Sequence, residues 1–169
     1  MARVVLKLGD DISTDIIYPG RFMATVLPTE TPQYAFADFP EFNARLKKGE
    51  IPAGSIVVAG KNFGCGSSRE QAASTLKGHE LVIVARNFAR IFLQNAINLG
   101  LRLVVCPEIE AEEGDELEIL PDKIINRTSG KEFRVEPLPK ARQAIIDAGG
   151  LIPYTRQRLL EKAASRKKD

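Results

Sequence analysis

Four runs of the chain are apolar over strand length: ARVVLKL at residues 2–8, GSIVVAG at 54–60, ELVIVA at 80–85 and LRLVVC at 101–106. The second and third have no polar alternation and are bounded by glycine or turn residues, the pattern of strands buried on both faces. Between them, REQAASTLKG at 69–78 and NFARIFLQNAINLG at 87–100 hold helix-forming residues and stop at Gly78 and Gly100. Strand, helix, strand, helix, strand at this spacing predicts a parallel sheet with right-handed crossovers. After Pro107 the pattern changes to short alternating runs, DELEIL, DKIINRT and KEFRVEPL, separated by turn dipeptides. These predict antiparallel strands, so the class is α/β with a largely parallel central sheet and added antiparallel strands. Residues 34–50 are interrupted by Pro40 and predict one or two short helices ending at KKG. The chain closes on two helical segments split by Gly149 and Gly150. Residues 11–32 carry five serines or threonines, three prolines and no helical period, which predicts a long irregular loop of the kind that is functional or mobile.

Length and charge narrow the classes. A chain of 169 residues, 44% hydrophobic, can bury a core, and one domain spanning 1–169 is expected. The formal charge of +2, from 24 basic and 22 acidic residues, gives no global field toward nucleic acid or anionic lipid. The basic tail SRKKD at 165–169 reads as a solvated end. The apolar run of the N-terminus is broken by Lys7 and ended by Asp10, too short for a signal peptide or membrane span, so a soluble, cytoplasmic protein is expected. Cys65 and Cys106 are the only cysteines, too few to hold an iron–sulfur cluster or a structural zinc on their own.

The chemistry concentrates in KNFGCGSSREQ at residues 61–71. A strand, a glycine-rich turn and a helix start point free amides and the positive end of the helix dipole at the turn, where an anion is the natural occupant. Gly64 and Gly66 permit positive φ, and Ser67 or Ser68 fits the role of helix cap. A cap needs one hydroxyl and gives no reason for Arg69, a cation at the positive end of a dipole. A carboxylate between Arg69 and the turn supplies that reason. The pattern is neither GxxxxGK[ST] nor GxGxxG, which disfavours nucleotide. The only histidine, His79, stands at the far end of the predicted helix and reads as a surface residue, which disfavours a serine–histidine hydrolase.

GDDISTDIIYPGRF, GKNFGCGSSREQAA and NFARIFLQNAINLGL, in this order, resemble the small subunits of 3-isopropylmalate dehydratase and homoaconitase, the aconitase swivel-domain family. The match runs from about residue 3 to residue 120 and more loosely to the end. The resemblance implies a swivelling β/β/α-type domain that joins a large subunit carrying a [4Fe-4S] cluster, with no cofactor in this chain. The implied reaction is a reversible dehydration and rehydration that moves a hydroxyl between neighbouring carbons of a di- or tricarboxylic acid. It needs a Lewis acid, a base for the α-proton, and clamps for carboxylates. The family pattern places the catalytic serine on Ser67, with Gly66, Ser68 and Arg69 binding substrate. Asp11, Thr14 and Asp15 match a second segment, where positioning of the serine turn, contact with the large subunit and a simple Asx or Ser/Thr turn all remain open. Arg90 either buttresses the turn or is a solvated surface residue. Cys65 is expected to be a small packing residue.

Substrate choice in the family resides in the loop near 19–33. Homoaconitase types show an arginine in a YLRT-like stretch, where isopropylmalate types are apolar. The matching residues here are Phe22, Met23, Ala24 and Thr25, with Ala24 in place of the arginine and Arg21 three positions away. This favours an alkyl substituent on the acid, unless a shifted register brings Arg21 into the role. A homoaconitase subunit, a related hydro-lyase for a dimethylmalate or citrate-type acid, and a non-catalytic binding domain are the alternatives.

Overall fold

The computed structural model describes residues 1–167, so the last two residues of the basic tail lie outside the described residues. The elements in chain order are β1 (Ala2–Lys7), α1 (Thr14–Ile17), α2 (Pro40–Lys47), β2 (Ile56–Ala59), α3 (Glu70–Gly78), β3 (Val82–Ala85) and α4 (Arg90–Leu99). They are followed by β4 (Arg102–Val105), β5 (Glu116–Ile119), β6 (Lys123–Asn126), β7 (Glu132–Arg134), α5 (Lys140–Asp147) and α6 (Leu151–Lys167). The long loop between α1 and α2 contains two 3-10 turns, Gly20–Phe22 and Thr31–Tyr34.

The seven strands form one sheet in the order β4-β3-β2-β1-β5-β6-β7. The first four are mutually parallel and the last three antiparallel. The antiparallel strands are those expected after Pro107; their junction with the parallel strands falls at β1. The Glu136 amide just past β7 donates to the Val105 carbonyl in β4 at 2.8 Å, so the sheet curls back toward its own far edge.

Every residue of β2 and β3 is buried, and alternation sends their side chains into two cores. Val57, Ala59, Ile83 and Ala85 pack with Leu76 of α3 and Phe92 of α4, while Ile56, Val58, Val82 and Val84 pack inside the curl with Leu117, Ile124 and Val135. Burying a strand on both sides removes roughly 1.5–3 kcal/mol worth of apolar exposure per large side chain, which is why these short runs need no amphipathic alternation.

One short helix ending at KKG is found as expected, α2, with Pro40 at its first position, where its missing N–H costs nothing. Two local expectations are corrected. Residues 87–89 are not the first turn of α4. They run extended, with Phe88 bridged to Phe63, because the Phe63 amide and carbonyl bond to Asn87 and Ala89. His79 is not a free surface residue: half-buried, it has Nε2 at 2.7 Å from the Pro32 carbonyl, so Nε2–H donates and ties the end of α3 to the long loop.

Candidate functional site

The site is built where two loops leave neighbouring parallel strands at their C-terminal ends, the usual ligand crevice of such sheets. Pairing between the chain segments continues past β1 and β2. Gly60 donates to Gly9, Asp11 to Lys61, Gly64 to Ile12 and Thr14 to Cys65, at 2.7 to 3.0 Å. Asp11 and Asn62 both take positive φ, 55° and 62°, a conformation their short polar side chains tolerate. The Asn62 amide donates to Asp11 Oδ1 at 3.0 Å. The other flank is held by Asn87, whose Oδ1 accepts from the Asn62 backbone amide at 2.5 Å. The glycine turn is therefore clamped from both sides before any side chain of the serine pair is placed.

Gly66, Ser67 and Ser68 are exposed. Thr14, buried, reaches the turn from α1, its Oγ1 at 2.9 Å from the Ser67 carbonyl and 3.3 Å from Ser67 Oγ. Neither serine caps α3, contrary to expectation: the capping position is Arg69, with no side-chain bond to the helix. The Arg69 amide instead closes a tight turn onto the Ser67 carbonyl at 2.9 Å, and Ser67 Oγ faces Thr14. The Ala72 amide closes on the Arg69 carbonyl at 3.2 Å, while the Glu70 and Gln71 amides of the first turn keep their capacity for an anion.

Arg69 has a carboxylate of its own. Its Nη1 donates to Asp15 Oδ1 at 2.6 Å and approaches the Tyr18 carbonyl at 3.4 Å. Among the described residues Nε and Nη2 make no hydrogen bond, leaving one edge of the guanidinium unpaired, with the side chain 20% exposed. The Arg69 hydrogen bond, followed by the Gly20 amide, holds the Asp15 carboxyl below the usual carboxylate range. A depressed pKa keeps this pair charged throughout the neutral range and loses it only as pH falls through the lowered value.

The loop at 19–33 starts at this clamp. The Tyr18 hydroxyl shares its proton between the carbonyls of Phe22 at 2.9 Å and Thr25 at 3.3 Å, and Phe22 stacks on Tyr34 at 4.0 Å. Arg21 pairs with Asp38 at 2.6 Å and lies over the Phe22 ring. Met23 and Ala24 are exposed. Arg90 is exposed at the start of α4 and makes no hydrogen bond or ion pair with the turn among the described residues.

Comparisons with known proteins agree on one family. Residues 12–108 match the model of the aconitase C-terminal domain. The chain belongs to that family. It is 43% identical to 3-isopropylmalate dehydratase small subunit 1 of Archaeoglobus fulgidus over 155 residues, 89% of this chain and 93% of that protein. It is 44% identical to the 3-isopropylmalate dehydratase small subunit of Aquifex aeolicus over 165 residues, 94% and 95% of the two chains. The isopropylmalate/citramalate isomerase small subunit of Methanocaldococcus jannaschii is 42% identical over 164 residues, 93% and 94% of the two chains. The crystal structure of 3-isopropylmalate dehydratase from Methanocaldococcus jannaschii superposes with a TM-score of 0.85 at 36% identity, over 96% of this chain and 97% of that one.

Of the residues picked out by the family resemblance, the aconitase-type fold brings Thr14, Asp15, Gly66, Ser67 and Arg69 together and gives Asp11 the role of bracing Asn62. It leaves Arg90 apart and turns Arg21 toward Asp38. Asn62, Asn87, Gly20 and Asp38 were not singled out beforehand. Only the first offered a signal, since it stands at the entry of the glycine turn. Among the described residues no three histidine, cysteine, aspartate or glutamate side chains converge as metal ligands, and Cys106 is buried with its thiol on the Arg134 carbonyl. The donors among the described residues do not fit an iron–sulfur cluster. No helix of the described residues is long and apolar enough to cross a membrane.

Burial pushes the Cys106 thiol up to about 11, while Cys65 is only half-buried. Iodoacetamide at pH about 8, with peptide mass spectrometry, should therefore label Cys65 well before Cys106. Equal labelling would contradict the closed interior of the curled sheet.

Proposed function

We propose that this chain is the small subunit of a heteromeric hydro-lyase that interconverts 2-isopropylmalate and 3-isopropylmalate by dehydration and rehydration, with turnover only in the presence of a large subunit. In this proposal the [4Fe-4S] cluster belongs to the large subunit. The observation that carries it is an exposed Ser67 hydroxyl held 3.3 Å from Thr14 Oγ1, beside a guanidinium with one open edge and an uncapped helix start. The cavity of about 510 Å³ beside the paired loops is lined by Gly9, Asp10, Gly60 and Lys61 and not by the serine turn; in this proposal the large subunit supplies the surface that closes over the turn.

Ser67 acts as the base. Its Oγ, in the alkoxide form, takes the proton from the carbon next to the one bearing the hydroxyl, as the C–O bond breaks and the hydroxide leaves to the Lewis acid that the large subunit would supply; on rehydration the hydroxide adds to one of the two carbons and Ser67 returns the proton to the other. Serine is a weak base at its ordinary pKa, so the charge must be stabilised where it forms. The Thr14 hydroxyl, which points at the Ser67 carbonyl in the resting turn, can swing its proton to Oγ. The first-turn amides of α3 and the Arg69 cation add to this field. The open edge of Arg69, with Ser68 and Gly66 beside it, takes a substrate carboxylate in bidentate fashion.

The exposed Met23 and Ala24 favour an acid with an alkyl group. Arg21, held by Asp38 and stacked on Phe22, is poorly placed to receive a further carboxylate. The name of the Methanocaldococcus relative also covers citramalate, which differs in its alkyl group and fits the same surface.

The test is anaerobic co-purification with the cluster-bearing subunit from the same organism and turnover of isopropylmalate, citramalate and homocitrate in parallel. Isopropylmalate should be turned over and homocitrate should not. Ala24→Arg should raise kcat/KM for homocitrate and lower that for isopropylmalate by about tenfold, since a cation enclosed beside an alkyl group once the complex closes over the loop is uncompensated. Homocitrate turnover by the native complex would overturn the substrate assignment. A stable complex with no turnover of any of the three would point to another acid of the same class.

A further inference from the structure

Asp15 sits where two parts of the site meet. One oxygen, Oδ1, accepts from Arg69 Nη1 at 2.6 Å and from the Gly20 amide at 2.8 Å, and Gly20 opens the 3-10 turn that begins the loop. The three groups are packed edge to edge: a Cβ placed on Gly20 would stand 3.1 Å from Arg69 Nη2 and 3.2 Å from Asp15 Oδ1. Arg21, the other cation nearby, is engaged by Asp38 and does not compete for the oxygen. The Asp15 side chain is 63% exposed and that of Arg69 20%, and an ion pair with one partner this open to solvent contributes modestly to stability. Its geometry is better explained by what it orients. By occupying Nη1, Asp15 fixes which edge of the guanidinium stays free. By sharing the same oxygen with Gly20, it ties the free edge to the residues that face the alkyl group.

We propose that Asp15 is a positioning residue that couples the Arg69 carboxylate clamp to the specificity loop. A substrate carboxylate that engages Nε and Nη2 draws the guanidinium against Asp15, and the shared oxygen passes that displacement to Gly20 and so to residues 21–25. The identity of the acid rests on the proposed function; the coupling itself does not.

Two measurements separate these. In the isolated, isotope-labelled chain, Arg69→Gln should shift the backbone amide resonances of Gly20 and of Arg21 to Thr25, while Arg90→Gln, at an equally cationic but unconnected position, should not. Unchanged loop resonances in Arg69→Gln would overturn the coupling whatever the substrate proves to be. In the reconstituted complex, Asp15→Asn should raise KM for isopropylmalate about tenfold while kcat stays within about threefold, the size expected for loss of one charge-assisted hydrogen bond. Discrimination against homocitrate should narrow with it, and Asp15→Glu should recover part of both. Gly20→Ala, which keeps the Asp15 carboxylate but crowds Nη2, should reproduce the KM effect. A native KM in Asp15→Asn, or a collapse of kcat with KM unchanged, would overturn the proposal. A native complex inert toward isopropylmalate would overturn the functional reading alone, with the coupling still decided by the loop resonances.

Discussion

Ser67→Ala is expected to lower kcat of the reconstituted complex by about three orders of magnitude, the range of a positioned acid–base group, with the thermal midpoint and co-purification with the large subunit unchanged. The two halves of this expectation come from different atoms of one residue. The backbone of Ser67 does the structural work: its carbonyl accepts from Thr14 Oγ1 and from the Arg69 amide, each at 2.9 Å, and alanine keeps both bonds. The hydroxyl is exposed and its partner within the chain is Thr14 at 3.3 Å. Thr14 loses nothing when the hydroxyl goes, because the carbonyl remains as its acceptor. Ser68→Ala provides the contrast. Ser68 is exposed on the same turn, and its loss should weaken substrate binding by roughly one charge-assisted hydrogen bond, a rise in KM of about tenfold with little change in kcat. A Ser67→Ala complex that retained turnover within about fivefold of the native rate would remove Ser67 from the chemistry.

The contrast between backbone and side chain also marks what could be read from the sequence. The parallel strands were legible because a strand buried on both faces must be apolar throughout, and IVVA and VIVA admit no other packing at that length. The glycine, serine and arginine turn was legible because helix entry, positive φ and a misplaced cation coincide in six residues. The curl of the sheet was not: it is marked by an isolated bridge between Val105 and Glu136 and by the Cys106 thiol on the Arg134 carbonyl, and isolated links across a change of direction have no periodic signature. The serine cap failed for a related reason. Ser67 and Ser68 are good capping residues, but the buried Thr14, 53 positions away, holds Ser67 Oγ, and local propensity does not reveal a tertiary competitor. Arg69 is the most instructive residue. Its place at a helix start called for a bound carboxylate, and Asp15 was picked out separately; in the fold Nη1 meets the chain's own Asp15, and nothing in the spacing of residues 15 and 69 joins them. Only the zipping of the two loops along Asp11, Gly64 and Thr14 brings the pair to 2.6 Å.

That zipped geometry depends on Gly64, and Gly64→Ala should be the most damaging single methyl group that can be added to the turn. Its φ is +86°, which disfavours any side chain by about 1–2 kcal/mol. A Cβ there would also meet the ring and Cβ of Phe92 at 2.2 to 2.7 Å. Phe92 cannot swing aside easily: it is 2% exposed on α4 and packs against Phe63 at 5.3 Å and Phe88 at 6.3 Å. Overpacking of this kind adds about 1–3 kcal/mol, for a total of roughly 2–5 kcal/mol and a fall in Tm of roughly 5–20 °C for a chain of this size. Gly66→Ala separates the two causes. Its φ is +94°, but the nearest atom to an added Cβ is Ser13 Cβ at 3.6 Å, so only the backbone cost applies and the fall in stability should be about half or less. Denaturant unfolding of both variants in the isolated chain gives the comparison. Equal losses would show that the ring contact with Phe92 carries no energy. Unequal losses, with the cost of Gly64→Ala reduced when Phe92 is also replaced by alanine, would show coupling between the two positions. The turn that holds Ser67 would then owe its shape to an aromatic side chain on α4 as much as to its own glycines.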